Sequence, residues 1–386
     1  NQEGIRLYDY IQLLKFRDDG WGTKLIYPFG NGSQSQAMGL DVLAGVDRTW
    51  EILENVNVGV DAAFLDSRLG FSFDYFVKMN NNMLIPVTYP SMLGAEAPYS
   101  NSGKLRTNGF ELTLNWTDKI GNVEYSAQFQ LTDAVNKLVE YGGADTYKLG
   151  LNETREGYPM NSYFAYVYDG VIKDQADLDA YKKLEGVPSN IGIGDAKFKD
   201  LNGDGKISTY GDKDGDDGDA EYVGSTTPRY SFGLNLGAKW NNFDISVFFQ
   251  GVAKRTLFRE GDFAMPWSDW WRSPPQFYYG QTWNEDRPDA YYPRLTHGEI
   301  RHWNYQASTL QKINAAYIRL KNIQIGYTLP KGALQKLGIE RTRFYVSGQD
   351  LFEIHNVKGG WDPESDKAGF NYPFQRYYSF GIDLTF

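Results

Sequence analysis

The segment YYSFGIDLTF, residues 377–386, ends the sequence and carries its clearest structural signal. Every second side chain is large and apolar, and the side chains between them are small or polar. A period of two residues is that of a β-strand, in which successive side chains point to opposite faces. The residues of the apolar face are Tyr378, Phe380, Ile382, Leu384 and Phe386. This pattern predicts a strand with an apolar medium on one side and a wet, polar space on the other.

The same alternation recurs in pairs of segments that are joined by short polar turns, which predicts β-hairpins. In each segment apolar residues occupy one face, and Gly, Ser, Thr, Asn, Gln or acidic residues occupy the other. The predicted pairs are 56–64 with 69–77, 110–116 with 123–131, 230–238 with 243–249, and 324–327 with 341–350. The connection 330–338 of the last pair is predicted to be a short helix that begins at a proline.

Long connections separate these hairpins, so that short and long connections alternate along the chain. The long connections are 80–106, 134–228, 254–314 and 352–376. Outer-membrane barrels sort their loops in this way, with short periplasmic turns and longer extracellular loops. If 5–16 is a further strand, the chain has about ten strands and ends at the periplasmic rim. We therefore predict an all-β fold, an antiparallel transmembrane β-barrel with long extracellular loops.

Composition supports the barrel and argues against several other classes. No apolar run approaches the ~20 residues that a membrane-spanning helix needs. Aromatic residues make up 16% of the chain, which suits the aromatic girdles at two membrane interfaces. The net charge of −10 and the lack of basic clusters argue against nucleic acid as a partner. An ordinary antiparallel β-sandwich has similar alternation and is the alternative fold, but strands near ten residues and sorted loops favour the barrel.

The segment DLNGDGKIS, residues 200–208, matches the start of a calcium-binding loop. Asp200, Asn202 and Asp204 place side-chain oxygens at its first, third and fifth positions, where they converge on one ion. Gly205 permits the sharp turn at the sixth position, and the carbonyl of Lys206 is the predicted seventh-position ligand. Ile207, the next residue, is expected to anchor the loop in the protein.

The closing ligand of this loop is less regular. Position twelve is Gly211 rather than an acid, so Asp212 is the predicted substitute. Clustered carboxylates repel each other, and a cation would order them. The sequence thus predicts a structural Ca²⁺ in 200–212. The alternative is an acidic surface loop without metal, and the acidic run 212–219 either holds a second ion or is solvated.

The connection 254–314 is rich in aromatic residues that flat sugar faces can stack on. Its polar neighbours supply hydrogen-bonding groups for hydroxyls. The alternative is that the rings pack on one another or on a partner that covers the loop. The predicted substrate-binding residues are Trp267, Trp270, Trp271, Tyr278, Tyr279 and Trp283.

Several blocks, in the same order as here, resemble the SusC/RagA-type TonB-dependent outer-membrane transporters. They cover more than half of the chain, and their combination is specific although each alone is weak. The blocks are TWEILENVNVGVDAAFLDSRLGFSFDYF (49–76), FKDLNGDGKIS (198–208), YVGSTTPRYSFGLNLGAKWNNFDISVFFQGV (222–252), TWNEDRPDAYYPRL (282–295), 315–364 and YPFQRYYSFGIDLTF (372–386).

The resemblance implies that 1–386 is the C-terminal portion of a barrel of roughly 22 strands. The plug domain and the segment that contacts TonB have no counterpart in the sequence and are expected elsewhere. The resemblance further implies TonB-energised import of oligosaccharides or peptides across the bacterial outer membrane, with a SusD-like surface lipoprotein as lid. Within this architecture 134–228 is expected to be an extracellular insert that carries the calcium-type loop.

Two other functions stay open from the residues alone. One is a TonB-dependent receptor for a siderophore or cofactor, against which the order of the blocks argues. The other is a secreted glycan-binding β-sandwich with a structural calcium ion. An enzyme is not expected, because no nucleophile elbow or positioned Ser-His pair is visible.

Overall fold

A single antiparallel sheet of nine long strands dominates the computed structural model, which describes residues 10–16, 26–28, 34–45, 47–87, 89–143, 150–209, 218–266, 274, 276–330, 338–365, 372 and 374–386. Each strand pairs with the strands that precede and follow it along the chain. We call this sheet the wall. Its strands are β1 (Ile52–Phe64), β2 (Leu69–Pro86), β3 (Tyr99–Ile120), β4 (Val123–Tyr141), β5 (Arg229–Trp240), β6 (Phe243–Lys254), β7 (Tyr317–Thr328), β8 (Arg341–His355) and β9 (Tyr377–Thr385).

The register of the wall places apolar residues of neighbouring strands side by side. One row runs from Ile245 on β6 through Ile325 and Val346 to Phe380 on β9, each residue paired with the next. These side chains stay exposed, Phe380 to 83%, so no part of the described chain covers this face. The predicted alternation and the all-β class are thereby confirmed. An apolar belt that continues from strand to strand is the surface that lipid covers in outer-membrane barrels.

The opposite face of the wall is polar and carries an ion pair that spans four strands. Arg343 on β8 donates across β7 to both carboxylate oxygens of Asp244 on β6 (3.0 and 2.5 Å). It also donates to Asp383 on β9 (3.1 Å). Gly326 on β7 lies beneath this side chain, and a Cβ there would be 2.4 Å from the guanidinium. The glycine therefore leaves the space through which Arg343 reaches a strand that is not its neighbour.

The hairpins extend further than the sequence pattern indicates. β2, β3 and β4 contain 18, 22 and 19 residues. The prediction of a connection over 80–106 was therefore wrong in extent, because strand pairing continues to Pro86 and resumes at Tyr99. At about 3.4 Å per residue such strands exceed the ~25 Å apolar band of an outer-membrane barrel. Beyond that band neither face meets lipid, so the alternation that marks a strand in the sequence disappears.

The predicted N-terminal strand pairs differently in the structure. Part of that strand and most of one predicted helical turn lie outside the described residues. Leu14–Phe16 pairs with Met38–Leu40 and not with the wall, so that the described wall has nine strands rather than about ten. Residues 5–9 lie outside the described residues. So does most of the predicted helix 330–338, of which 331–337 are not described.

The remaining elements are short and lie mostly in the long connections. None of the helices in the described ranges is long and apolar enough to cross a membrane. The helices are α1 (Gln175–Tyr181) and α2 (Gly298–Asn304), with 3-10 turns at Ser91–Leu93, Gly261–Phe263, Gln276–Tyr278 and Thr309–Gln311. The further strand pairings are Ile26–Pro28 with Gln34–Gln36, Ser162–Tyr166 with both Gly150–Glu153 and Ala220–Ser225, Tyr168–Val171 with Ala196–Phe198, and Thr256–Phe258 with Lys312–Asn314.

The contact between Gly326 and Arg343 makes a stability prediction. Gly326→Ala displaces the guanidinium from Asp244, and the loss of charge-assisted hydrogen bonds costs about 2 kcal/mol. Gly70→Ala is the matched control, because a Cβ at this wall glycine meets its nearest atom at an ordinary 3.5 Å. Thermal unfolding of the full-length protein in detergent measures both variants. Equal stability of the two variants contradicts the role given to Gly326.

Candidate functional site

Two of the long connections fold together into one compact body, which we call the loop domain (the described residues of 150–228 and 255–316). Its largest core cluster draws Ile172, Phe198 and Ile207 from the first connection and Ile300 and Trp303 from the second. The first connection contributes α1, which begins where the side chain of its N-cap Asp174 accepts a hydrogen bond from the backbone N–H of Asp177 (2.9 Å). The long connections are thus a packed structure on one end of the wall rather than independent loops.

A buried carboxylate joins the two halves of the loop domain. Asp195 has no exposed surface, and Arg294 donates to its two oxygens at 2.7 and 2.8 Å. Asn304 donates to the same carboxylate at 2.9 Å, and the backbone N–H of Gly192 donates at 2.7 Å. The hydrogen bonds to Asp195 raise the pKa of Arg294, although burial opposes this shift. Asp195 is therefore a fully satisfied buried anion that fixes one connection against the other.

Two neighbouring residues of the predicted aromatic site, Tyr278 and Tyr279, differ in exposure. Tyr278 is only 2% exposed, and its hydroxyl donates to the carbonyl of Phe263 (3.0 Å). Its ring packs edge-on against Tyr292, with centroids 4.7 Å apart, and burial raises the pKa of its hydroxyl. Tyr279, the next residue, is 89% exposed. In this arrangement Tyr278 stabilises the loop domain, and Tyr279 alone of the two is accessible to a ligand or a partner.

Of the other predicted aromatic residues, Trp283 lies in the part of the chain that the structure describes. Trp283 is half-buried and lies over Gly194, where a Cβ would be 2.2 Å from its ring. Gly194 has a φ of +86°, so its backbone also favours glycine. Trp267, Trp270 and Trp271 lie outside the described residues.

The predicted calcium loop is ordered by its own side chains. Asp200 accepts from the backbone N–H groups of Gly203 (2.7 Å) and Gly205 (2.9 Å). Asn202 accepts from the N–H of Asp204 (3.1 Å), and Asp204 accepts from that of Lys206 (2.8 Å). Both glycines have positive φ, +74° and +81°, as the sharp turn requires. The three side chains thus curl the backbone of the loop around themselves.

Ile207 anchors the loop, as the sequence predicts. It is 4% exposed within the main core cluster of the loop domain. Its N–H donates to the carbonyl of Glu185 (2.8 Å), and the N–H of Glu185 donates to the carbonyl of Gly205 (2.9 Å). The loop is therefore attached to the protein directly after its acidic residues.

The acidic residue that contacts this loop is Asp219, the last residue of the acidic run 212–219, and it is buried rather than solvated. Asp219 is fully buried and accepts from the N–H groups of Leu201 (2.6 Å) and Ser208 (2.9 Å). Burial raises its pKa, and the nearby carboxylates of Asp200 and Asp204 raise it further, against the lowering effect of the two N–H groups. Asp212, the predicted closing ligand, lies outside the described residues. No cluster of three His or acidic side chains with metal-binding geometry occurs in the part of the chain that the structure describes.

Comparison with known proteins gives matches along almost the whole chain, although no family model matches it. Two curated relatives come from Formosa agariphila. TonB-dependent receptor P3 is 26% identical over 94% of this chain and 37% of the receptor. TonB-dependent receptor P26 is 24% identical over 92% of this chain and 37% of the receptor. The chain thus spans little more than a third of these relatives.

Solved structures show the same fold. The RagAB peptide transporter superimposes with a TM-score of 0.70 at 21% identity, over 98% of this chain and 39% of that chain. The RagAB peptide importer in its open-open state gives 0.71 at 22% identity, over 99% and 38%. Along almost its whole length the chain is similar to TonB-dependent receptors, and its fold is that of the RagAB transporter. The predicted family and the predicted location in the bacterial outer membrane are therefore confirmed, and these relatives are named as receptors and transporters rather than enzymes.

The hydrogen-bonded contact at Asp195 makes a stability prediction for the loop domain. Asp195→Asn leaves Arg294 without its anion and loosens the loop domain by about 3 kcal/mol, the lower end for a buried pair. The value is low because Arg294 keeps 35% of its side chain exposed. The measurement is hydrogen exchange of 192–198 and 300–304 in the full-length protein.

Asp169→Asn provides the control within the same body. Its ion pair with Lys199 is 3.8 Å long, with both side chains about half exposed, and such pairs contribute roughly 0–1 kcal/mol. Similar exchange rates in the two variants would show that Asp195 does not join the two connections.

Proposed function

We propose that the protein containing this chain imports an oligomeric nutrient, an oligosaccharide or a peptide, through the outer membrane in a TonB-dependent step. The observation that carries the proposal is the wall, with an unbroken apolar belt on one face and a polar face crossed by the Arg343 ion pairs. A polar interior suits a hydrophilic substrate. The loop domain at one end of the wall offers a rigid entrance. The named function of the TonB-dependent relatives supports the energised step.

A SusD-like lipoprotein lid belongs to this proposal. The family resemblance motivates it, and the exposed rings of the loop domain support it. Tyr279 is 89% and Tyr291 55% exposed, whereas the other described large aromatic residues of the loop domain are buried or half-buried. Such residues are typical of binding surfaces.

We further propose that Asp200, Asn202 and Asp204, with the carbonyl of Lys206, hold a structural Ca²⁺, closed by Asp212 or Asp219. Three observations support this: the positive φ of the loop glycines, the anchoring of Ile207, and the burial of Asp219 beside two other carboxylates. A cation would offset the repulsion among these groups. Its role would be to hold the loop domain in shape, without chemistry on the substrate.

Uptake in cells tests the transport proposal. Cells that carry the full-length receptor are expected to accumulate labelled oligosaccharides or peptides, and deletion of TonB is expected to abolish this accumulation. The same cells without the receptor are the control. Uptake that persists without TonB, or that does not depend on the receptor, contradicts the proposal.

Calcium removal tests the metal proposal. With Ca²⁺ at about 100 times its Kd, opening of the loop becomes less favourable by about 2.7 kcal/mol, and proteolysis between 200 and 209 slows about 100-fold. Asp204→Ala is expected to remove this protection. Glu221→Ala, at an exposed residue outside the loop, is expected to keep it. Cleavage rates that are equal with chelator and with calcium count against the site.

A further inference from the structure

A cavity of about 280 Å³ lies where β4, β5 and β6 meet the loop domain. Four cationic side chains line it: Arg229, Lys254, Arg255 and Lys312. No acidic side chain lines it among the described residues. The cavity is thus locally basic in a chain whose net charge is −10. A cleft lined by one sign of charge focuses its field and concentrates ligands of the opposite sign.

The four cationic side chains differ in whether they already have an ion-pair or hydrogen-bond partner in the protein. Arg229 donates from Nε and Nη2 to Asp133, both at 2.5 Å, so its charge is offset. Arg255 is buried and donates to the carbonyl of Pro363 (2.7 Å). Lys254 and Lys312 are exposed, and neither has an ion-pair partner within the described ranges. These two lysines are the charges that remain for a ligand.

Hydroxyl groups complete the lining and favour an oxygen-rich anion. Ser225, Thr227 and Thr256 are among the lining residues, and the hydroxyls of Thr227 and Thr256 can donate to a carboxylate while that of Ser225 donates to Thr227. Ser225 and Thr227 already share a hydrogen bond (3.1 Å), so their positions are fixed relative to each other. The volume is at the small end for ligand pockets, which suits one acidic residue of a longer ligand.

The strand beside the cavity favours a peptide over a saccharide as the carrier of that anion. Ala220–Ser225 is the outer strand of its three-stranded sheet in the described part of the chain, and its last four residues line the cavity. An outer strand can bind an extended peptide through main-chain hydrogen bonds. Tyr222 is the aromatic residue among the described residues that line the cavity, and its ring packs against Tyr158 and Phe164 (centroids 5.6 and 6.0 Å apart) rather than standing free for a sugar.

We propose that this cavity is a subsite for an acidic peptide, with Lys254 and Lys312 binding a carboxylate of the peptide and Ala220–Ser225 lying along its backbone. The inference rests on the proposed import function and narrows its substrate class. It gives the lysines a role in selecting acidic over neutral peptides at the entrance of the receptor.

Binding to the full-length receptor in detergent tests the subsite. The probes are a short peptide of alternating Glu and Ser and its Gln and Ser counterpart. The receptor is expected to bind the acidic peptide about tenfold more tightly, as two ion pairs in the upper half of their usual range of strength would give. Lys254→Gln with Lys312→Gln is expected to abolish this preference. Lys183→Gln, at an exposed lysine of the loop domain that does not line the cavity, is expected to retain it.

Three results overturn the subsite: equal affinity for the two peptides, a preference that survives the double substitution, or a loss of preference in Lys183→Gln. Lysine-dependent binding of an oligoglucuronate without binding of the acidic peptide overturns the assignment to peptides. If the subsite proposal is wrong, cells still show TonB-dependent uptake of other oligomers. If the import proposal is wrong, the cells show no receptor-dependent uptake at all. The cell assay and the binding assay therefore distinguish the two.

Discussion

Backbone hydrogen bonding inside hydrocarbon is the constraint on which this structure depends. Every N–H and C=O group in that medium needs a partner within the protein, and adjacent strands supply one another's partners. Because pairing also fixes register, a row such as Ile245, Ile325, Val346 and Phe380 stays on one face across four strands. The same register puts Asp244, Arg343 and Asp383 together on the other face. Belt and interior are thus two consequences of one pairing pattern.

The loop domain depends on different physics. It excludes water with an ordinary core, in which Phe198 and Ile207 pack with Ile300 and Trp303 from the other connection. Its polar interior is satisfied locally, most clearly at Asp195, and the acidic loop at 200–208 is curled by side chain to backbone hydrogen bonds. A body of this kind can hold a binding surface in a defined place above the wall. The basic cavity lies at the boundary between the two, where residues of both line it.

The sequence predicted the wall well because lipid enforces an alternation that can be read directly. It underestimated β2 and β3, because outside the membrane residues such as Asn80, Asn81 and Asn82 have no reason to alternate. The candidate site residues were harder to predict. Spacing alone led to Asp200, Asn202 and Asp204 being predicted as ligands, but Asp219 approaches them only through the fold. Tyr278 and Tyr279 are adjacent residues of the same type, and the sequence does not show that the first is buried and the second exposed. Lys254 and Lys312 are 58 positions apart, and only pairing of their segments brings them to one cavity.

The position of the apolar belt in lipid is the central claim, and site-specific fluorescence quenching tests it most directly. The chain has no cysteine, so Val346→Cys and Ser347→Cys each provide one label on adjacent residues of β8 within this chain. In bilayers that contain lipids with a quencher in the acyl chain, the label at 346 is expected to be strongly quenched. The label at 347 is expected to respond to a water-soluble quencher instead. Equal quenching by lipid at both positions, or the reverse order, contradicts the account.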